Sequence, residues 1–303
     1  MIDTKPIQLS DKQWMDPLLA SANMRACHQN FTNIFVWAKI YNQRVGRVNN
    51  YLVVKNAFGT QKESYFFPAG SGDIKPVLQA MMQDAAESGH PFTLLGISPE
   101  NRAVLDTLFP GEFEYTEWRD SFDYLYTVEK LVTLSGKKLH GKRNHIARFK
   151  DNNPDWSFEP ITAENLPECW KMNQEWCILN GCADDAGLTA EANAVRLCFE
   201  HYSALGLEGG LLRAGGRVIA YTMGEPLNSD TYNTHIEKAF SDIQGAYPMI
   251  NREFAAYIQQ RHPHILYINR EEDMGNEGLR KAKLSYQPDR MEEKYRAYHK
   301  STL

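Results

Sequence analysis

Residues 209–227 read GGLLRAGGRVIAYTMGEPL, 230–240 DTYNTHIEKAF, 241–260 SDIQGAYPMINREFAAYIQQ, 265–273 ILYINREED, 274–288 MGNEGLRKAKLSYQP and 290–298 RMEEKYRAY. Two apolar runs flank Ala214-Gly215-Gly216, a hairpin signal. The next run alternates as a strand does: Tyr232, Thr234 and Ile236 face one way, Asn233, His235 and Glu237 the other. After Gly245, the apolar positions Tyr247, Ile250, Phe254 and Tyr257 recur at three- and four-residue steps, which predicts a helix. Ile265–Ile268 predicts a short buried strand ending in Asn269, Arg270, Glu271, Glu272 and Asp273. A helix from Glu277 to about Tyr286 and a last strand from Met291 to Tyr298 complete the order: hairpin, strand, helix, strand, helix, strand.

That order resembles the acyl-CoA N-acyltransferase (GNAT) fold. The resemblance implies that the strand carrying Glu237 splays from the next one, and that a donor pyrophosphate rests on the following helix N-terminus. Free backbone N–H groups and the helix dipole favour an anion at such a place. Here it would be Gln244-Gly245-Ala246, with Tyr247 and Asn251 facing the donor from the helix. The phrases HIEKAF, QGAY, INREED-x-G and GLRKAKLSY-x-P are narrower. They resemble a bacterial family of unknown function related to the C-terminal domain of phosphatidylglycerol lysyltransferase. That resemblance covers nearly the whole chain and is densest after Leu134. It implies an α+β protein of two tandem GNAT-like halves, as in Fem-type aminoacyl-tRNA transferases. Each half would be a mixed, mostly antiparallel sheet flanked by helices.

The first half reads in the same grammar. Asp11 caps a helix carrying Trp14, Leu18 and Leu19, disturbed by Pro17. Phe31–Tyr41 predicts a buried helix. Arg47–Lys55 and Ser64–Pro68 predict paired strands across a polar turn near Gly59. Helices are expected at Asp73–Ser88 and Pro99–Leu108, and strands at Phe92–Ile97, Phe113–Thr116 and Phe122–Val128. The expected organisation is a GNAT-like half over 1–133, a basic connecting helix over 134–153, and a second half over 154–303 carrying the active site. In the second half, Trp156–Ile161 is a strand, Thr162–Leu179 a helix, and Thr189–Ala204 another capped by Thr189. Asn173, Glu175 and Trp176 are placed where GNAT helices shape an acceptor site, although core packing suits the tryptophan as well.

At 303 residues with a net charge of −5, the chain has no general attraction for nucleic acid or anionic lipid. Any such partner needs a local basic patch. LSGKKLHGKRNHIARFKDNN, residues 134–153, is that patch, with Lys142 and Arg143 the favoured donor-phosphate contacts. The five cysteines form no CxxC pair, and their odd number argues against a disulfide framework. Reduced thiols and a cytoplasmic location are expected. Cys177, Cys182 and His201 fit no zinc spacing, so no metal is expected. There is neither a signal-peptide core nor an apolar run long enough to span a membrane.

Acyl transfer needs a base, donors for the oxyanion, and an acid for the leaving group. The candidate catalytic residues are Glu237, Asp273 and Tyr286, the last in the place where the GNAT resemblance implies a proton-donating tyrosine. His235, Arg270, Glu271 and Glu272 are the candidate acceptor contacts. Three adjacent carboxylates repel, so at least one needs a raised pKa or a cationic partner. Asp273 also suits a capping role through Gly275 and Asn276. The expected function is an acyltransferase or aminoacyltransferase, using acyl-CoA or aminoacyl-tRNA and an amine, amino-acid or hydroxyl acceptor. It would need no tightly bound cofactor, and tRNA would bind the basic helix. The alternative is a non-catalytic module that holds an amino acid or polyamine.

Overall fold

The structure, a computed structural model, describes residues 1–57 and 63–300. The turn expected near Gly59 lies outside them. The chain divides into two compact units, and neither is continuous in sequence. The first comprises Met1–Asp123, Glu272–Glu277 and the C-terminal segment from Met291; the second comprises Tyr124–Glu271 and Gly278–Arg290. These divisions do not follow the boundaries expected at residues 133 and 153.

The first unit opens with β1 (Thr4–Pro6), α1 (Lys12–Ala22), α2 (Phe31–Trp37), β2 (Arg44–Val48) and β3 (Tyr51–Asn56). The single strand expected over Arg47–Lys55 is therefore two. Asn49 adopts φ 51°, and this left-handed turn folds β2 back on β3. β4 (Ser64–Phe66), β5 (Ala69–Gly70), α3 (Lys75–Glu87), β6 (Thr93–Ile97), α4 (Pro99–Leu108) and β7 (Phe113–Glu117) follow. On α3, Val77, Leu78, Met81 and Ala85 form one helical stripe and bury against Tyr65, Phe92 and Leu94 of the sheet.

The second unit holds most of β8 (Asp123–Thr127), then α5 (Val128–Thr133), α6 (His140–Asn152), β9 (Ser157–Pro160), α7 (Leu166–Leu179), α8 (Ala186–Glu200) and α9 (Tyr202–Leu205). Next come β10 (Glu208–Ala214), β11 (Arg217–Pro226), β12 (Thr231–Ala239), α10 (Ala246–Arg261), β13 (Tyr267–Asn269) and α11 (Glu277–Leu284). Two short strands end the chain, β14 (Arg290–Glu292) and β15 (Tyr295–His299). The hairpin at Gly215-Gly216 is present, both glycines with positive φ. The helix expected from Thr189 instead starts at Ala186, because the Asp185 carboxylate takes the Leu188 N–H at 2.8 Å. The Thr189 hydroxyl donates to the Cys182 carbonyl at 2.7 Å.

Both sheets are mixed. The first has the order β1-β2-β3-β4-β6-β15-β7, with β4 and β6 parallel. From β8 onward, the second, seven-stranded sheet runs β8-β13-β12-β11-β10-β9, with β12 and β13 parallel. Each unit therefore holds one strand–helix–strand crossover, β4-α3-β6 or β12-α10-β13. In each sheet the place beside the crossover strand is filled by a strand remote from it in sequence. β15 pairs with β6 and β7 in the first sheet; β8 pairs with β13 in the second. The last strand, expected in the second half, thus belongs to the first sheet. Among the described residues no helix is long and apolar enough to cross a membrane.

The expectation of reduced thiols fails at one pair. Cys177 and Cys182 are disulfide-bonded, because the turn ending α7 brings their Cα atoms to 5.1 Å, within bridging range.

Candidate functional site

The polar heart of the second unit forms where two strands stop pairing. β12 and β13 share three register positions, ending at Asn233 and Asn269. β12 runs on to Ala239, while the chain after Asn269 turns away through Glu271 at φ 57°. Glu237 on β12 and Arg270 after β13 meet beyond that point. The Arg270 Nη2–H donates to Glu237 Oε1 at 2.7 Å, and the Asn251 amide of α10 donates to Oε2 at 2.9 Å. Glu237 and Arg270 keep only 11% and 13% of their side chains exposed. Among the described residues, two buried atoms of this group have no hydrogen-bond partner: Arg270 Nη1 and Asn251 Oδ1.

Tyr286 lies beside them, buried, between two cations. Arg270 stands 4.8 Å from its ring centroid and Lys142 of α6 4.0 Å. Burial pushes the Tyr286 hydroxyl well above its ordinary pKa, only partly offset by Arg270, so it stays protonated. Burial also drives the Lys142 ammonium down to about 8, helped by the Arg270 charge and opposed by Glu237. Arg270 is held charged: burial opposes its charge most, but Glu237 together with Tyr126 and Tyr286 outweighs it.

The alternation read along β12 holds. Asn233 and His235 both reach Glu271: the Asn233 amide donates to Glu271 Oε1 at 2.7 Å, and His235 Nδ1 lies 2.9 Å from the same oxygen. His235 Nε2 lies 3.0 Å from Glu225 Oε1. Burial opposes the imidazolium, but the two carboxylates more than compensate and raise its pKa to about 9.

Three expectations need correction. The acidic run is not one pocket. Glu271 turns to His235, whereas Glu272 and Asp273 belong to the first unit. There Glu272 meets Lys294 at 3.1 Å, and Asp273 meets Arg119 at 3.2 Å. Adjacent carboxylates each find a separate cation, which relieves their repulsion. Asp273 is fully buried and accepts the Gly275 N–H at 2.9 Å, the capping role that its sequence context also suits. The turn at Gln244-Gly245-Ala246 is not an open anion cradle. The Ala246 N–H donates to Ile243 O at 3.1 Å, and α6 packs so closely that a Cβ on Gly245 would lie 2.2 Å from the His145 carbonyl oxygen. Gln244 is exposed. Arg143 is spent on the carbonyls of Leu134 and Gly136 that precede α6, leaving Lys142 as the member of that pair that reaches the site.

Tyr247 also turns inward, its hydroxyl accepting from the Trp176 indole at 3.2 Å. Trp176 and Asn173 line a narrow recess with Leu188, Glu191, Lys238 and the Cys177–Cys182 bridge. The Lys238 ammonium sits 3.7 Å over the Trp176 ring and 2.6 Å from Glu191. Glu175 is not among the lining residues and lies 3.9 Å from Arg217. Sequence reading missed Lys238 and Glu191 as a pair, because they lie on separate elements and neither sits in a motif.

Two mixed sheets, each with one parallel crossover and flanking helices, define a tandem GNAT-like fold of the Fem type. The fold of FemX matches with a TM-score of 0.59 at 9% identity, covering 98% of this chain and 97% of that one. Residues 20–298 match the family model described as phosphatidylglycerol lysyltransferase, C-terminal, and the chain belongs to that family. A conserved protein of unknown function from Bacteroides thetaiotaomicron is similar throughout, with 41% identity, 99% and 100% coverage and a TM-score of 0.92. L-PGS from Bacillus licheniformis shares the fold at 16% identity, with a TM-score of 0.66 and coverage of 99% and 94%. An uncharacterized protein of Mycoplasmoides gallisepticum is 26% identical over 176 residues, which are 58% of this chain and 55% of that relative.

Proposed function

We propose that this chain is an aminoacyltransferase, moving an aminoacyl group from tRNA to an amine or hydroxyl acceptor. The observation that carries the reading is the pair of unpartnered buried atoms around Glu237. Arg270 Nη1 is a donor and Asn251 Oδ1 an acceptor, and both residues are tied to the same carboxylate. A buried polar atom without a partner is costly, so a ligand that satisfies both gains affinity. An aminoacyl ester offers the matching groups on neighbouring atoms: a carbonyl oxygen for Arg270 and an α-ammonium for Asn251. A plain acyl thioester offers only the carbonyl. The packing of α6 on Gly245 also weighs against a CoA pyrophosphate at that turn.

In this reading Arg270 stabilises the oxyanion as the acceptor attacks the carbonyl. Glu237 holds Arg270 and Asn251 in place. Lys142, neutral in part near pH 8, takes the acceptor's proton, and Tyr286 donates one to the leaving ribose oxygen. The exposed Lys137, Lys138 and Arg148 of the 134–153 segment face the tRNA phosphates.

The test incubates the purified chain with charged tRNA and, separately, with acyl-CoA esters, each with a panel of amines and amino acids. Amide or ester formation from charged tRNA that falls sharply in Lys142→Ala supports the reading. No turnover from either donor, with a melting shift only for free amino acids or polyamines, overturns it in favour of a binding module.

A further inference from the structure

The first unit holds a buried group that transfer chemistry leaves unused. Lys294, just before β15, places its Nζ 2.7 Å from Asp123 Oδ1, 3.1 Å from Glu272 Oε1 and 3.5 Å from Cys27 Sγ. Cys27 Sγ lies 3.6 Å from the same Glu272 oxygen. Lys294 is 1% and Cys27 3% exposed, whereas Glu272 keeps 26% of its side chain open. Cys27, Asp123 and Glu272 place their ligand atoms within 4.8 Å of one another, as a metal site would. Yet the Lys294 ammonium already stands among them, supplying the positive charge that the buried Asp123 and the half-buried Glu272 require.

The thiol therefore calls for a different account. Cys169 and Cys198 are buried, and burial pushes the Cys169 thiol up to about 12. Such thiols are inert packing groups. Cys27 instead lies 3.5 Å from a side-chain amine, and peroxide oxidises a cysteine to its sulfenic acid. A sulfenic acid formed there stands next to an amine, and a sulfenic acid condenses with a neighbouring nucleophile. The 3.5 Å gap is too long for a direct sulfur–nitrogen bond and suits one bridging atom.

We propose that Cys27 and Lys294 form an oxidative modification site, in which peroxide links Sγ to Nζ through a single oxygen. The first peroxide oxidises the thiol to sulfenic acid and leaves as water. Lys294 gives one proton to Glu272, and its amine is oxidised by the second peroxide to a hydroxylamine, with loss of another water. The hydroxylamine oxygen then attacks the sulfenic sulfur, expelling the third water and leaving S–O–N. Glu272 suits the proton's destination, because burial raises its carboxyl pKa, against the lowering by Lys294. The link covalently joins the turn between α1 and α2 to the start of β15 and removes the Lys294 charge. It does not depend on the transferase reading.

The experiment treats the purified chain with hydrogen peroxide, quenches it with catalase, and reads intact mass and a non-reducing peptide map. The expected product is one oxygen heavier and two hydrogens lighter. It contains a peptide joining Cys27 to Lys294, and a thiol reductant returns it to the starting mass. Cys27→Ser, checked for folding by circular dichroism, is expected to lose this product. Met274, 64% exposed, reports that the oxidant acted. Three results overturn the proposal: an unchanged Cys27 when Met274 is oxidised, sulfinic or sulfonic acid at Cys27 without a link, or a link that lacks the oxygen.

Discussion

Arg270 bonds to Glu237 at 2.7 Å just past the last paired residues of β12 and β13. The two charges close the gap that strand pairing leaves open. A buried pair of this kind is costly to break from one side, because the remaining charge has no compensation. Arg270→Met is expected to lower unfolding free energy by about 3–5 kcal/mol, while Glu237→Leu/Arg270→Met recovers much of that loss. Urea unfolding of the single and double variants measures the coupling. Equal losses in both would mean that the pair contributes nothing as a pair.

His235 gives a stability contribution of the opposite pH sense to an acid. Its pKa rises from 6.5 to about 9 on folding, which corresponds to on the order of 3 kcal/mol. The folded state binds the proton more tightly, so the contribution is complete below pH 6.5. It fades as pH rises to about 9, where the folded imidazolium also loses its proton. The stability difference between the parent and His235→Gln, measured by urea unfolding, is expected to shrink across that window. A difference constant from pH 6 to about 9.5 would contradict the clamp.

Gly245→Ala tests the packing of α6 on α10. The residue has φ 84°, and its added Cβ would meet His145 O at 2.2 Å. Left-handed backbone alone costs roughly 1–2 kcal/mol for alanine, and the clash adds to it. A fall of about 2 kcal/mol or more is expected in thermal or chemical melting. A neutral result would place α6 further from the turn.

Lys142 predicts the pH profile of transfer. With its ammonium at about 8, the rate should rise with pH through that value as the neutral amine forms. Lys142→Arg keeps the charge but has no neutral form at these pH values. It is expected to lower kcat by about 10²-fold or more and to abolish the rise. An unchanged profile in Lys142→Arg assigns the proton to another group.

Salt reports the donor. Removing Lys137, Lys138 and Arg148 together should reduce the slope of log Kd for charged tRNA against log salt by about 3. Fluorescence anisotropy at several salt concentrations reads the slope. No change would move the tRNA away from this helix.

The local grammar was legible because period alone decides it. The alternation puts Asn233, His235 and Glu237 on one face, where the first two meet Glu271, and Ala214-Gly215-Gly216 marks its hairpin. What period cannot give is the partner of a strand. β8 and β15 are short runs that would fit either sheet, and each pairs in the sheet opposite to the half that contains it in sequence: β8 in the second, β15 in the first. The same limit explains the acidic run. Glu271, Glu272 and Asp273 are adjacent, but their cations, His235, Lys294 and Arg119, come from distant positions that no spacing signals. Arg270 was named as an acceptor contact and Glu237 as a catalytic group, yet their union depends on where β12 and β13 part. Gly245 was read as a helix start, which it is. That α6 would press against it was not visible, because Ile146 and Phe149 declare a buried face without naming what covers it.

β15 lies between β6 and β7, although β8 to β14 are all made before it. At about 5–20 residues per second, roughly 10–40 s pass on the ribosome between the synthesis of β7 and that of β15. Throughout that time two strand edges stand unpaired, and a nascent chain in that condition is a target for chaperones and for pairing with its neighbours. The first unit, begun earliest, is therefore the one whose sheet can close only after the strands of the second have been made.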